Sequence, residues 1–96
     1  MQYMDKSFTV SELNAYVRDL LRADPVLRQI VVRGEIGNLR NYQGHLYFTL
    51  KDEKSSIRAV MWRSDSARLT FVPEEGTQVV AAGGVSGSST CVWGFL

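Results

Sequence analysis

The sequence predicts a mainly-β domain, a small barrel behind a short helical arm, and three observations lead there. Apolar residues recur at helical spacing as far as Gln29 and alternate with polar ones from Ile30 onward. The alternating runs are short and are separated by polar or glycine-containing turns. A chain of 96 residues, 45% hydrophobic and 22% charged, has the size and composition of one folded domain, not of a disordered tail.

Thr9-Val10-Ser11-Glu12 has the form of a capping box, with Thr9 as N-cap and Glu12 reaching back to its amide. Val10, Leu13, Val17, Leu20 and Leu21 then form one apolar stripe, with Asn14, Arg18, Asp19 and Arg22 on other faces. Asp24-Pro25 ends this helix and suits the start of another short one. Val26, Leu27 and Ile30 are its expected apolar contacts. These residues, 1–29, make the arm.

The barrel is expected over 30–96. In its first strand Ile30, Val32, Gly34 and Ile36 share one face and Val31, Arg33 and Glu35 the other, with Gly34 marking a bulge or bend. Gly37 to Gly44 reads as a loop. His45 to Lys51 and Ser56 to Trp62 form a hairpin around the polar turn Asp52-Glu53-Lys54-Ser55. Leu46, Phe48, Leu50, Ile57, Ala59 and Met61 are expected inside; Tyr47, Thr49, Lys51, Arg58, Val60 and Trp62 outside. A helical turn is expected at Asp65 to Leu69, a turn at Pro73 to Gly76, and a fourth strand from Thr77 to Gly83. Gly83 to Ser89 reads as flexible and Thr90 to Leu96 as a poor final strand.

Catalytic chemistry finds little footing. The chain has one histidine, His45, and one cysteine, Cys91, so no intrachain disulfide forms and no metal-ligand spacing exists. Cys91 reads as a small buried hydrophobe in a reducing, cytoplasmic setting. Asp52 and Glu53 read as solvated turn carboxylates, and nothing near Glu35 would tune it. Gly83-Gly84 lacks the Lys-Ser/Thr and the helix of a phosphate loop. No metal or other cofactor is expected. No apolar run has membrane-spanning length, and Met1 to Lys6 lacks the basic-then-apolar order of a signal peptide.

Binding is better supported. Tyr47, Thr49, Lys51, Arg58 and Trp62 place two aromatics and two cations on one face of the hairpin. Single-stranded nucleic acid needs that combination, rings on which bases stack and cations for the backbone. Arg33, Arg40 and His45 extend the candidate surface, as does Arg63. Plain solvated charge reads each of them equally well. Tyr47 and Trp62 have a rival reading too, as the surface on which the helical arm packs. The net charge of +1 favours neither reading.

Val10-Ser11-Glu12-Leu13-Asn14, Val32-Arg33-Gly34-Glu35-Ile36 and Gly44-His45-Leu46-Tyr47-Phe48-Thr49-Leu50-Lys51-Asp52, followed by Ile57-Arg58-Ala59-Val60-Met61 and Pro73-Glu74-Glu75-Gly76, resemble the start of the exodeoxyribonuclease VII large subunit family. The resemblance covers roughly Phe8 to Val85. It implies an oligonucleotide-binding (OB) fold, a five-stranded Greek-key barrel, that engages single-stranded DNA. It further implies a parent enzyme hydrolysing single-stranded DNA from either end to oligonucleotides, with its catalytic domain absent from this chain and with small subunits as partners. The chain itself is expected to be non-catalytic.

Residues 87–96 depart from the family pattern, so the barrel is expected to be incomplete at its C-terminus, its tail disordered or swapped into a strand-paired homodimer. Two other functions compete: a protein-docking module, and an RNA-binding OB domain of the tRNA-anticodon type.

Overall fold

The capping box closes in both directions: the Thr9 hydroxyl accepts from the Glu12 amide at 3.0 Å, and the Glu12 carboxylate accepts from the Thr9 amide at 2.9 Å. It starts α1, Val10–Ala23, in a computed structural model that describes residues 7–87 and 89–96. Met1 to Lys6, the stretch read for a leader peptide, and Ser88 lie outside the described residues. Asp24 then caps α2, Pro25–Arg28, its carboxylate accepting from the amides of Val26 and Leu27. The apolar stripe of α1 stays exposed, Leu13 at 49% and Leu20 at 55%. α1 touches α2 and the fourth strand, and α2 lies against that strand as well. The close approach needs Gly84, since a Cβ there would stand 2.7 Å from the Arg28 carbonyl oxygen.

Five strands close a barrel in the order β1-β2-β3-β5-β4: β1 Ile30–Tyr42, β2 His45–Lys51, β3 Ser56–Met61, β4 Gln78–Ser86 and β5 Ser89–Phe95. The pairs are antiparallel except β3 with β5. This is the OB barrel that the sequence led one to expect. β1 is long enough to serve two partners. Ile30 to Glu35 pair with β4, and Glu35 to Tyr42 pair with β2.

Three expectations need correction. The loop expected from Gly37 to Gly44 is mostly strand, leaving a turn at Gln43 and Gly44, whose φ values of 53° and 90° are those of a primed hairpin turn. The bulge expected at Gly34 lies instead between Gly37 and Arg40, where Asn38 has φ 50°; Gly34 stays in register opposite Val79. That extra residue shifts the alternation by one and made the polar run look like a loop.

The third correction concerns the tail. Thr90 (1% exposed) and Val92 (0%) point inward while Cys91 and Trp93 point outward, so β5 closes the barrel within one chain. The premise of a strand-exchanged dimer, an unclosed barrel, goes with it. The strand was hard to read because Thr90 carries a hydroxyl into the interior with no partner among the described residues, a cost of about 1–3 kcal/mol.

The smaller shifts are local. The helical turn expected at Asp65 to Leu69 is α3, Arg63–Ser66. β4 runs on to Ser86, three residues beyond the expected end. Ile36, Leu46, Phe48, Leu50, Ala59, Met61, Val79, Ala81 and Val92 fill the interior, with Met61 fully buried. Ile57, expected inside, is 39% exposed at the turn end of the hairpin.

Candidate nucleic-acid interface

With Leu46, Phe48 and Leu50 in the core, β2 must turn Tyr47 and Thr49 outward. Register supplies their neighbours: Arg40 stands opposite Tyr47, Val60 lies on its other side, and Cys91 lies beyond Val60; Arg58 stands opposite Thr49. With Asn38, Trp62, Ser86 and Ser89 these residues line a groove of about 620 Å³ on the outer barrel face. Val60 is its floor, outward-facing yet only 8% exposed.

Trp62 is held on several sides. Its ring meets Tyr47 edge-on at 6.3 Å and 88°, and His45 at 5.3 Å and 82°. Cys91 lines the same groove beside it. The rings nevertheless keep surface in solvent, Tyr47 39% and Trp62 44%. α1 does not cover them, which removes the rival reading of Tyr47 and Trp62 as its packing surface. Burial, seconded by the Asp65 charge, pushes the Cys91 thiol above its ordinary pKa, so it is neutral near pH 7.

Of the nine residues the sequence singled out, Arg63 begins α3, and the structure divides the other eight. Tyr47, Thr49, Arg58, Trp62 and Arg40 line the groove, Arg40 from a strand and not from a loop. His45 sits behind Trp62, its Nδ1 accepting from the Arg63 amide at 3.0 Å, and serves as a support for the ring. Lys51 and Arg33 line a separate pocket with Glu35, Asp52 and Glu53, and Lys51 Nζ is 3.9 Å from the Glu35 carboxylate. The amides of Lys54 and Ser55 donate to Asp52 and hold its carboxyl below the usual range, so it is fully charged there. Those two cations therefore do not join the ring cluster. Asn38 was expected at the interface as part of the first loop, whereas Val60, Ser86, Ser89 and Cys91 were not foreseen as lining. Val60 was legible as an outward residue; the others needed the course of β4 and β5.

A family model described as "OB-fold nucleic acid binding domain" matches residues 8–89, which include every lining residue of the groove except Cys91. The chain belongs to that family. Over 82 residues it is 44% identical to the protein named exodeoxyribonuclease 7 large subunit in Alkaliphilus metalliredigens, covering 84% of this chain and 20% of the relative. The proteins of the same name in Syntrophomonas wolfei (49% over 85 residues, 86% of this chain and 21% of the relative) and Clostridium botulinum (50% over 82 residues, 84% and 20%) agree. The chain spans about a fifth of the length of these relatives and is homologous to that part of a nuclease subunit. Among the described residues no group of three or more His, Cys, Asp or Glu is placed to hold a metal, and no helix is long and apolar enough to cross a membrane.

Proposed function

We propose that this chain is the single-stranded-DNA-binding module of an exodeoxyribonuclease VII large subunit, holding DNA for a catalytic domain elsewhere in the parent polypeptide. The carrying observation is the groove itself: two partly exposed rings, Tyr47 and Trp62, flanked by Arg40 and Arg58, with no carboxylate among its lining residues. Rings accept any base face and arginines accept phosphates, so binding tolerates sequence. The chain performs no hydrolysis. The parent enzyme acts on single-stranded DNA in the cytoplasm, and its small subunits and catalytic domain are the protein partners. The exposed stripe of α1 favours a second, compatible role for the arm, docking within that assembly.

A titration of the 96-residue chain with oligo-dT, read by tryptophan fluorescence at two salt concentrations, tests the proposal. Two phosphates neutralised by Arg40 and Arg58 predict a slope of about −1.4 for log affinity against log salt. Absent or salt-insensitive binding by folded protein would leave docking as the function. Tighter binding of oligo-U than of oligo-dT would favour the RNA-binding alternative.

A further inference from the structure

The geometry points to a second stacking and phosphate-binding platform, formed by Trp93, Arg22 and Arg28 beneath the helical arm, onto which a strand bound in the hairpin groove continues. The inference rests on the binding role proposed above and extends its path. A second groove, again about 620 Å³, lies between the arm and the outer faces of β4 and β5. Ser86 and Cys91 line both grooves, so the two surfaces are continuous.

β5 dictates what comes next along that surface. Val92 is fully buried while Cys91 and Trp93 both line the groove, Trp93 being the extra residue where β5 slips against β4 between Ala82 and Gly83. Trp93 is 40% exposed and makes no ring contact among the described residues. Arg22 ends α1 and Arg28 ends α2, and both line the groove. Neither forms an ion pair among the described residues, and no carboxylate lines the groove. The contact of Gly84 with the Arg28 carbonyl fixes α2 against β4, which holds these cations over the sheet. Ring, cations and open space thus repeat the composition of the first groove. Arg22 and Arg28 lie within residues 8–89 and Trp93 lies beyond them, so the platform joins the family's arm to the chain's last strand.

Length-dependent binding separates the platform from the first groove. Oligo-dT of about 4 nucleotides fills one groove, and oligo-dT of about 12 reaches both. For Trp93→Ala the longer oligonucleotide is expected to lose roughly 5- to 150-fold in affinity, the loss of one stacked base, while the shorter keeps its affinity. Arg22→Gln combined with Arg28→Gln, on exposed helix positions that leave the barrel intact, is expected to reduce the salt slope of the longer oligonucleotide by about 1.4. Trp93→Phe is expected to restore most of the binding. Unchanged long-oligonucleotide affinity and slope in the arginine variant would overturn the platform. If Tyr47→Ala still weakens both lengths in that case, the hairpin groove stands and only its extension fails; if Tyr47→Ala is silent too, both fail.

Discussion

Two ends of one sheet face carry the same kinds of side chain and differ in what surrounds them. At one end Arg40 and Arg58 flank Tyr47 and Trp62, and no carboxylate lines the groove. At the other, Arg33 and Lys51 share their pocket with Glu35, Asp52 and Glu53, and Lys51 is within 3.9 Å of Glu35. Alternation along β2 assigns Tyr47, Thr49 and Lys51 to one face, yet cross-strand register decides whether a cation meets a ring or an acid. A phosphate approaching the first end finds uncompensated charge. Approaching the second, it meets three carboxylates against two cations and is repelled.

The largest expected effect comes from breaking the ring cluster. Tyr47→Ala removes a stacking face and leaves Trp62 without one of its edge-on neighbours, so oligo-dT affinity is expected to fall by about 1–3 kcal/mol. Lys51→Ala, by contrast, breaks an exposed ion pair and is expected to change both binding and stability by less than about 1 kcal/mol. Isothermal titration of both variants checks the pair. Equal losses would show that the strand crosses the whole face and that the acidic end does not exclude it.

A finer measurement separates charge from stacking. Arg58→Gln is expected to weaken binding modestly and to reduce the magnitude of the salt slope by about 0.7, the share of one phosphate, whereas Arg33→Gln is expected to leave the slope unchanged. Affinities across a series of salt concentrations give both slopes. A slope that falls for Arg33→Gln would place a phosphate at the acidic end and erase the contrast.

What the sequence discloses about this surface depends on how local the cause is. The capping box, β2 and the outward direction of Tyr47, Thr49 and Arg58 follow from neighbours within a few residues, and all three were legible. Arg40 was read in a loop because the irregularity at Asn38 hides the period of β1; its true place, opposite Tyr47, is a long-range pairing. The same holds for β5. Its inward Thr90 and its glycine and small residues make a weak strand signal, and only pairing with β3 and β4 stabilises it. Lys51 was grouped with the rings because alternation is a property of one strand, while Glu35 arrives from another.

The smallest expected effect uses a side chain already in place. Cys91 lies against Val60 and Trp62 on the floor of the ring groove, and its half-buried thiol has a pKa raised by burial and by Asp65. The reactive thiolate is therefore scarcer than on a free thiol, and alkylation near pH 8 is expected to be slow and to quicken as pH rises through the raised pKa. Because the folded state holds this proton more tightly than the unfolded chain does, the associated stability is present below the ordinary thiol pKa and is lost as pH rises above it. A strand lying over the groove covers the sulfur, so saturating oligo-dT is expected to slow alkylation several-fold further. Ser56→Cys supplies the control, since Ser56 pairs with Lys51 at the acidic end and is exposed. Its alkylation is expected to be indifferent to oligo-dT, and mass spectrometry distinguishes the two sites in one sample. Protection of residue 56 with Cys91 left reactive would reverse the assignment of the two ends, because no strand resting on Tyr47 and Trp62 leaves the floor between them open.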